Sequence, residues 1–106
     1  MNLANPFPPE VRLLFLYVYS CWECGRSDRG LELHHIWGRI SRSALNAAPL
    51  CMECHHHILH DKETHRRLFK KTIDFLALID YRTVKADADF LDIPTVHKEL
   101  DGFVWW

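Results

Sequence analysis

The sequence predicts a small α+β fold, and three observations carry that prediction. Four cysteines fall into two Cys-x2-Cys pairs, Cys21/Cys24 and Cys51/Cys54, with 26 residues between them. An alternating run, "LELHH" at 31–35, lies between the pairs and reads as a strand. A stretch without proline or glycine, with helical apolar spacing, follows the second pair. At 106 residues the chain fits one domain with a modest core, here taken as 1–106, and small cores often need a staple.

Composition narrows the class. Hydrophobic content of 48% and charged content of 25% belong to an ordinary globular protein, neither disordered nor membrane-embedded. The longest apolar run, "LLFLYVY", is far too short to span a bilayer, and "MNLANPFPPE" lacks the basic region of a signal peptide. A cytoplasmic location with no membrane partner is the expectation. The net charge is −1, unevenly spread: residues 1–71 carry ten Lys/Arg against seven Asp/Glu, and residues 72–106 carry three against seven. A mildly basic body is compatible with a nucleic-acid face, and equally with charges scattered on a solvated surface.

Taken in order, Pro8-Pro9-Glu10 ahead of "VRLLFLYVY" suits a helix start, although the β-branched and aromatic residues of the run also suit a strand. "GRSDRG" is a turn, "LELHH" a strand, "GRISRSALN" a loop, and "APLC" a second short strand entering the second cysteine pair. Helical spacing begins at His55, and Leu68, Thr72, Phe75, Leu76 and Ile79 form its apolar stripe. Asp61 is placed to cap a fresh helix, which splits the stretch into a short helix and a longer extension over 61–81. The acidic and aromatic segment 82–106 ends in Trp105 and Trp106, which are expected to dock on the domain.

Without a secretory signal, two Cys-x2-Cys pairs read as a tetrathiolate zinc site of Cys21, Cys24, Cys51 and Cys54; disulfides or unligated cysteines are the other reading. Each pair presents two thiolates from one tight turn. Their separation exceeds the usual zinc-finger range, so the segment between them must fold and bring its ends back together. That segment holds His34-His35 and Asn46, and His55 follows Cys54 directly. Alternation along a strand points His34 and His35 to opposite faces, free to do different work. Neutral imidazoles bind borderline metals, and a site with two or three protein ligands leaves positions open for water and substrate.

Through "LELHHI", Asn46 and "LCMECH", residues 21–60 resemble the HNH endonucleases, the ββα-metal or His-Me finger nucleases, and particularly small phage-encoded members. The resemblance implies a ββα-metal core with a zinc-knuckle pair, flanked by an N-terminal helix or strand and a longer C-terminal helix. It implies DNA as the partner, in a bacterial host cell if the chain is phage-encoded; a further reading is an accessory nuclease active only within a larger complex, such as a phage DNA-packaging or recombination machine. His35 then corresponds to the general base, Asn46 to the residue that holds the loop behind it, and His34 and His55 to ligands of a catalytic Mg2+, Mn2+, Ni2+ or Zn2+. Products would carry 5′-phosphate and 3′-hydroxyl ends. Members with a third histidine place it four residues after the first helical one, which here is Leu59. His60 comes one residue later, about 140° around a regular helix from His55. The expected set is His34, His55 and His60, with His56 and His57 as alternatives for the third ligand. Arg39 and Arg42 in the loop, and Arg66, Arg67, Lys70 and Lys71 on the helix, are candidates for phosphate contacts. His65 is expected on the solvated helix face, beyond reach of the site. A catalytically silent zinc module that binds nucleic acid or protein is the competing class of function.

Overall fold

The computed structural model describes residues 7–80, 82 and 87–101. A short helix, α1 (Pro9–Leu14), opens it, with proline at the first helical position and Val11 turned into the core. Proline presets φ for the first turn, and here the helix prevails over the strand reading. The strands β1 (Leu31–His35) and β2 (Ala47–Cys51) pair antiparallel, with Leu31 opposite Cys51 at the open end and His35 opposite Ala47 at the closed end. The hairpin therefore ends at the second cysteine pair on one side and at the His34-His35 pair on the other.

Every residue of β2 is buried, and small side chains at Ala47 and Ala48 leave room for a helix to approach. Thr72 of the long helix uses that closeness: its hydroxyl donates to the Ala47 carbonyl at 2.7 Å. Two helices follow β2 directly, α2 (Met52–His57) and α3 (Lys62–Ile79). Asp61 caps α3 as expected, its carboxylate accepting from the Thr64 N–H at 2.8 Å. The first helix, however, starts at Met52 rather than His55, because the Cys51–Cys54 turn is itself its first turn. On α3, Leu68, Thr72 and Leu76 are buried as the stripe predicts, but Ile79 is 47% exposed and the inward face also takes in Thr64, His65, Phe69 and Ile73.

A 3₁₀ segment (Ala88–Asp92) leads into α4 (Pro94–Glu99), and Phe90 and Val96 are buried in the same apolar cluster as Phe7, Leu50 and Leu68. Trp37 sits at its centre, with ring centres 5.0 Å from Phe69 and 5.6 Å from Phe90. Trp105 and Trp106 lie outside the described residues. Among the described residues, no helix is long and apolar enough to cross a membrane. Replacing Asp61 with Ala removes the α3 cap and should lower stability by about 1 kcal/mol, read as a shift of the urea midpoint at unchanged slope.

Candidate metal centre

The hairpin register places Cys51 at the open end of the sheet, and α2 carries Cys54 back over it. The first pair comes from a separate turn: the Gly25 N–H donates to the Cys21 carbonyl at 2.9 Å, and Gly25 takes φ of 78°, a conformation glycine adopts without cost. All four sulfurs lie within 4.8 Å of one another, and Cys24 Sγ is 3.9 Å from Cys51 Sγ. Bonds of about 2.3 Å to one tetrahedral zinc would hold sulfurs roughly 3.8 Å apart, so the four thiols fit a structural zinc. A disulfide needs sulfurs at about 2 Å, which the 3.9 Å separation does not meet. Burial alone would push the Cys21 thiol up, but hydrogen bonds from the Cys24, Cys51 and Glu23 backbone pull it down to about 7. Burial, with the neighbouring thiols, pushes Cys54 up. One thiolate forms readily in this cluster, and a cation is what would hold the rest ionised.

His34 and His35 turn to opposite faces of β1. His34 is 4% exposed, with ring centres 5.1 Å from His55 and 5.6 Å from His60. Two imidazoles on one ion, at metal–nitrogen lengths of about 2.0–2.1 Å, have ring centres roughly 4.5 to 6.5 Å apart, a range that His34 meets with His55 and with His60, although the nitrogens of the three histidines are not all within 4.8 Å of one another. They are set wider than the thiols, which form the one group of three or more His, Cys, Asp or Glu among the described residues with all ligand atoms within 4.8 Å. The helix-phase objection to His60 disappears because α2 stops at His57, and residues 58–61 carry His60 back toward His34 without helical constraint. His56 and His57 are exposed at the end of α2, and the His56 ring is 6.3 Å from that of His55.

A residue that the sequence reading missed stands behind His55. Glu32 Oε1 is 3.0 Å from His55 Nδ1. A carboxylate accepts, so Nδ1 donates, and in the neutral ring Nε2 is left with its lone pair, the arrangement that orients a ligating histidine. The signal was in the strand: Glu32 is two residues before His34 and shares its face.

Asn46 closes the other end of the hairpin. Its side-chain oxygen accepts from the Trp37 N–H at 3.0 Å, and its amide donates to the carbonyls of Gly38 at 2.9 Å and Ser41 at 3.0 Å. The Asn46 carbonyl also accepts from the Ile36 N–H at 2.8 Å, so one fully buried residue ties down the chain on both sides of the loop after His35. His35 itself is stacked on Phe7 at 4.0 Å, and its buried Nε2 has no hydrogen-bond partner among the described residues.

Burial, then electrostatic repulsion from the neighbouring imidazoles of His55, His60, His35 and His65, lowers His34 to about 3. Burial, then Arg39, lowers His35 to about 4. Both rings are therefore neutral at physiological pH, the form that binds metal or accepts a proton.

Arg39 and Arg42 are exposed on the loop that follows His35. The helix cations have intramolecular partners: Arg66 donates to the carbonyls of Glu99 and Asp101, Arg67 pairs with Glu23, Lys70 with Asp74, and Lys71 donates to the Trp22 carbonyl. His65 is not on a solvated face. It is 7% exposed, its Nδ1 is hydrogen-bonded to Glu99 Oε2, and its ring centre is 6.2 Å from that of His60. Its spacing of three from Leu68 already put it on the buried stripe. Comparison with protein-family models, with curated proteins and with solved structures finds no match to this chain.

Two outcomes follow from this geometry. Chelating zinc, or replacing Cys51 with Ser, should abolish cooperative thermal unfolding, since the binding free energy of a tetrathiolate site is folding free energy. An unchanged melt after chelation would mean that the thiols hold no metal. The second concerns acid. His34 and His35 titrate near 6.5 when unfolded and lower when folded, so the unfolded chain binds more protons between those values. Stability is then full above about pH 6.5 and falls as pH drops toward 4 and 3. Urea unfolding should show a loss on the order of 1 kcal/mol per histidine between pH 7.5 and 5.5, and a smaller loss for His34→Gln.

Proposed function

We propose that this protein is a metal-dependent DNA endonuclease of the ββα-metal type, with a structural zinc in its four thiols. The observation that carries the reading is the division of the histidine pair: His34 faces His55 and His60, while His35 faces the other way, beside a loop pinned by Asn46. Neither an ordinary core histidine nor a pure zinc module requires a second cluster of three imidazoles, one of them already oriented by Glu32.

In this reading His34, His55 and His60 hold a divalent ion. The ion, when bound, supplies positive charge to the scissile phosphate as negative charge builds on the leaving 3′ oxygen. His35 is neutral and takes the proton from the attacking water as its oxygen bonds to phosphorus and the bond to the 3′ oxygen breaks. Asn46 is a positioning residue: by holding the loop it fixes the backbone that presents His35. Arg39 and Arg42 are the phosphate-binding residues favoured by place, since they are exposed on the loop that follows His35. Internal partners for Arg66, Arg67, Lys70 and Lys71 support a version in which a larger phage or DNA-processing complex presents the DNA.

Pure zinc-replete protein should nick supercoiled plasmid when Mg2+, Mn2+, Ni2+ or Zn2+ is added, at many sites rather than one. His35→Ala should slow nicking by about 10²–10⁴-fold while the protein still unfolds cooperatively. No cleavage in any of the four ions, or equal rates for His35→Ala, would sink the proposal. Arg39→Ala and Arg42→Ala should weaken DNA binding by a similar factor on unrelated sequences, measured by fluorescence anisotropy.

A further inference from the structure

Phe7 precedes the first cysteine pair and lies outside the 21–60 stretch that carries the nuclease resemblance. Its side chain is nevertheless 2% exposed and meets His35 face to face, with ring centres 4.0 Å apart and planes 12° from parallel. The other histidine ring contacts among the described residues are steeper, from 48° between His34 and His60 to 73° between His34 and His55. His35 is thus the histidine that lies flat on a hydrocarbon ring.

The local sequence explains how Phe7 reaches it. Pro8 and Pro9 follow directly, and the Pro8 carbonyl accepts from the N–H groups of Val11 at 3.0 Å and Arg12 at 3.1 Å, so the residue after Phe7 is tied to the first turn of α1. Val11 and Phe15 are buried in the same cluster as Leu33, which precedes His35 by two in β1 and therefore shares its face. The helix is anchored in the core, and the chain just ahead of it is brought to His35.

An imidazole accepts a proton through a lone pair that lies in the plane of the ring, so a base works only while that plane is aimed at the attacking water within hydrogen-bond reach. The strand and the Asn46 clamp fix the backbone of His35, but the last torsion of a histidine side chain is soft. A flat ring in van der Waals contact leaves no room for the imidazole to tilt toward it or for water to enter between the two. Burial of the Nε2 edge closes a second side.

The geometry points to Phe7 as a positioning residue that holds the plane of the His35 ring, which makes the segment ahead of the zinc knuckles part of the catalytic apparatus. This rests on His35 being the base of the proposed function. Simple packing makes a different demand: leucine at position 7 would still fill the core with apolar atoms but would present no flat face.

The test uses the full chain with zinc in its thiols, and single-turnover nicking of supercoiled plasmid in whichever of the four ions supports the fastest wild-type rate. Phe7→Leu should lower the maximal rate by about 10–100-fold and leave the half-saturating protein concentration within about twofold. Phe7→Met, which keeps apolar volume without a planar face, replaces it if leucine costs the fold. Because Phe7 acts through His35, the Phe7→Leu/His35→Ala double variant should be no slower than His35→Ala alone. A Phe7→Leu rate equal to or above wild type, or a double variant slowed by the full factor of Phe7→Leu, would overturn the inference and leave the proposed function standing. No wild-type cleavage, or His35→Ala cutting as fast as wild type, would remove both. Nuclear Overhauser contacts between the two rings are expected in the wild-type protein, and their absence would overturn the inference whatever the variants do.

Discussion

The convergence of four thiols at the open end of the hairpin is the constraint on which the rest depends. A two-stranded sheet is marginal in water by itself, and this one has no third strand among the described residues. Its open end is closed by Cys51 in the last position of β2, Cys54 in the first turns of α2, and the separate turn carrying Cys21 and Cys24. The chain before the hairpin, the hairpin and the helix after it therefore meet in one small volume. A cation there would favour the thiolate of Cys54, whose ionisation burial and the neighbouring thiols oppose. With that end fixed, α2 has a defined start, and a defined start sets where His55 falls.

At the closed end Asn46 performs the complementary task with hydrogen bonds. Its side chain satisfies one N–H and two carbonyls of the loop, and its own carbonyl a second N–H, so an eleven-residue excursion from 36 to 46 returns to the sheet in one register. Register matters because a slip by one residue would exchange the faces of His34 and His35. The histidine pair thus owes its two orientations to strand alternation and the permanence of those orientations to clamps at both ends.

The tail of the chain bears on the same region. Glu99 accepts from Trp37 and His65, and Arg66 holds the Glu99 carbonyl, so α4 is fastened to the core beside the histidines by polar contacts as well as by Val96. The excess acidic charge of this segment includes at least one carboxylate in a structural role, that of Glu99. Likewise the basic residues of α3 are partnered within the chain, which is why the overall charge is a weak guide to a nucleic-acid face.

Much of this was legible from residues alone. Alternation in "LELHH" fixed β1 and the opposed histidines, the two Cys-x2-Cys pairs fixed a shared thiol site, and Asp61 fixed the break between α2 and α3, because each depends on spacing along a few residues. Tertiary structure decided what spacing leaves open. Whether His60 joins His34 turned on α2 ending at His57, a matter of where 58–61 runs across the hairpin rather than of helix phase. Whether His65 is solvated turned on α4, thirty-four residues away, laying Glu99 against it. Burial and partnership of a side chain are set by segments distant in sequence, so no local pattern records them, and that is why the strand was readable and the surroundings of His60 and His65 were not.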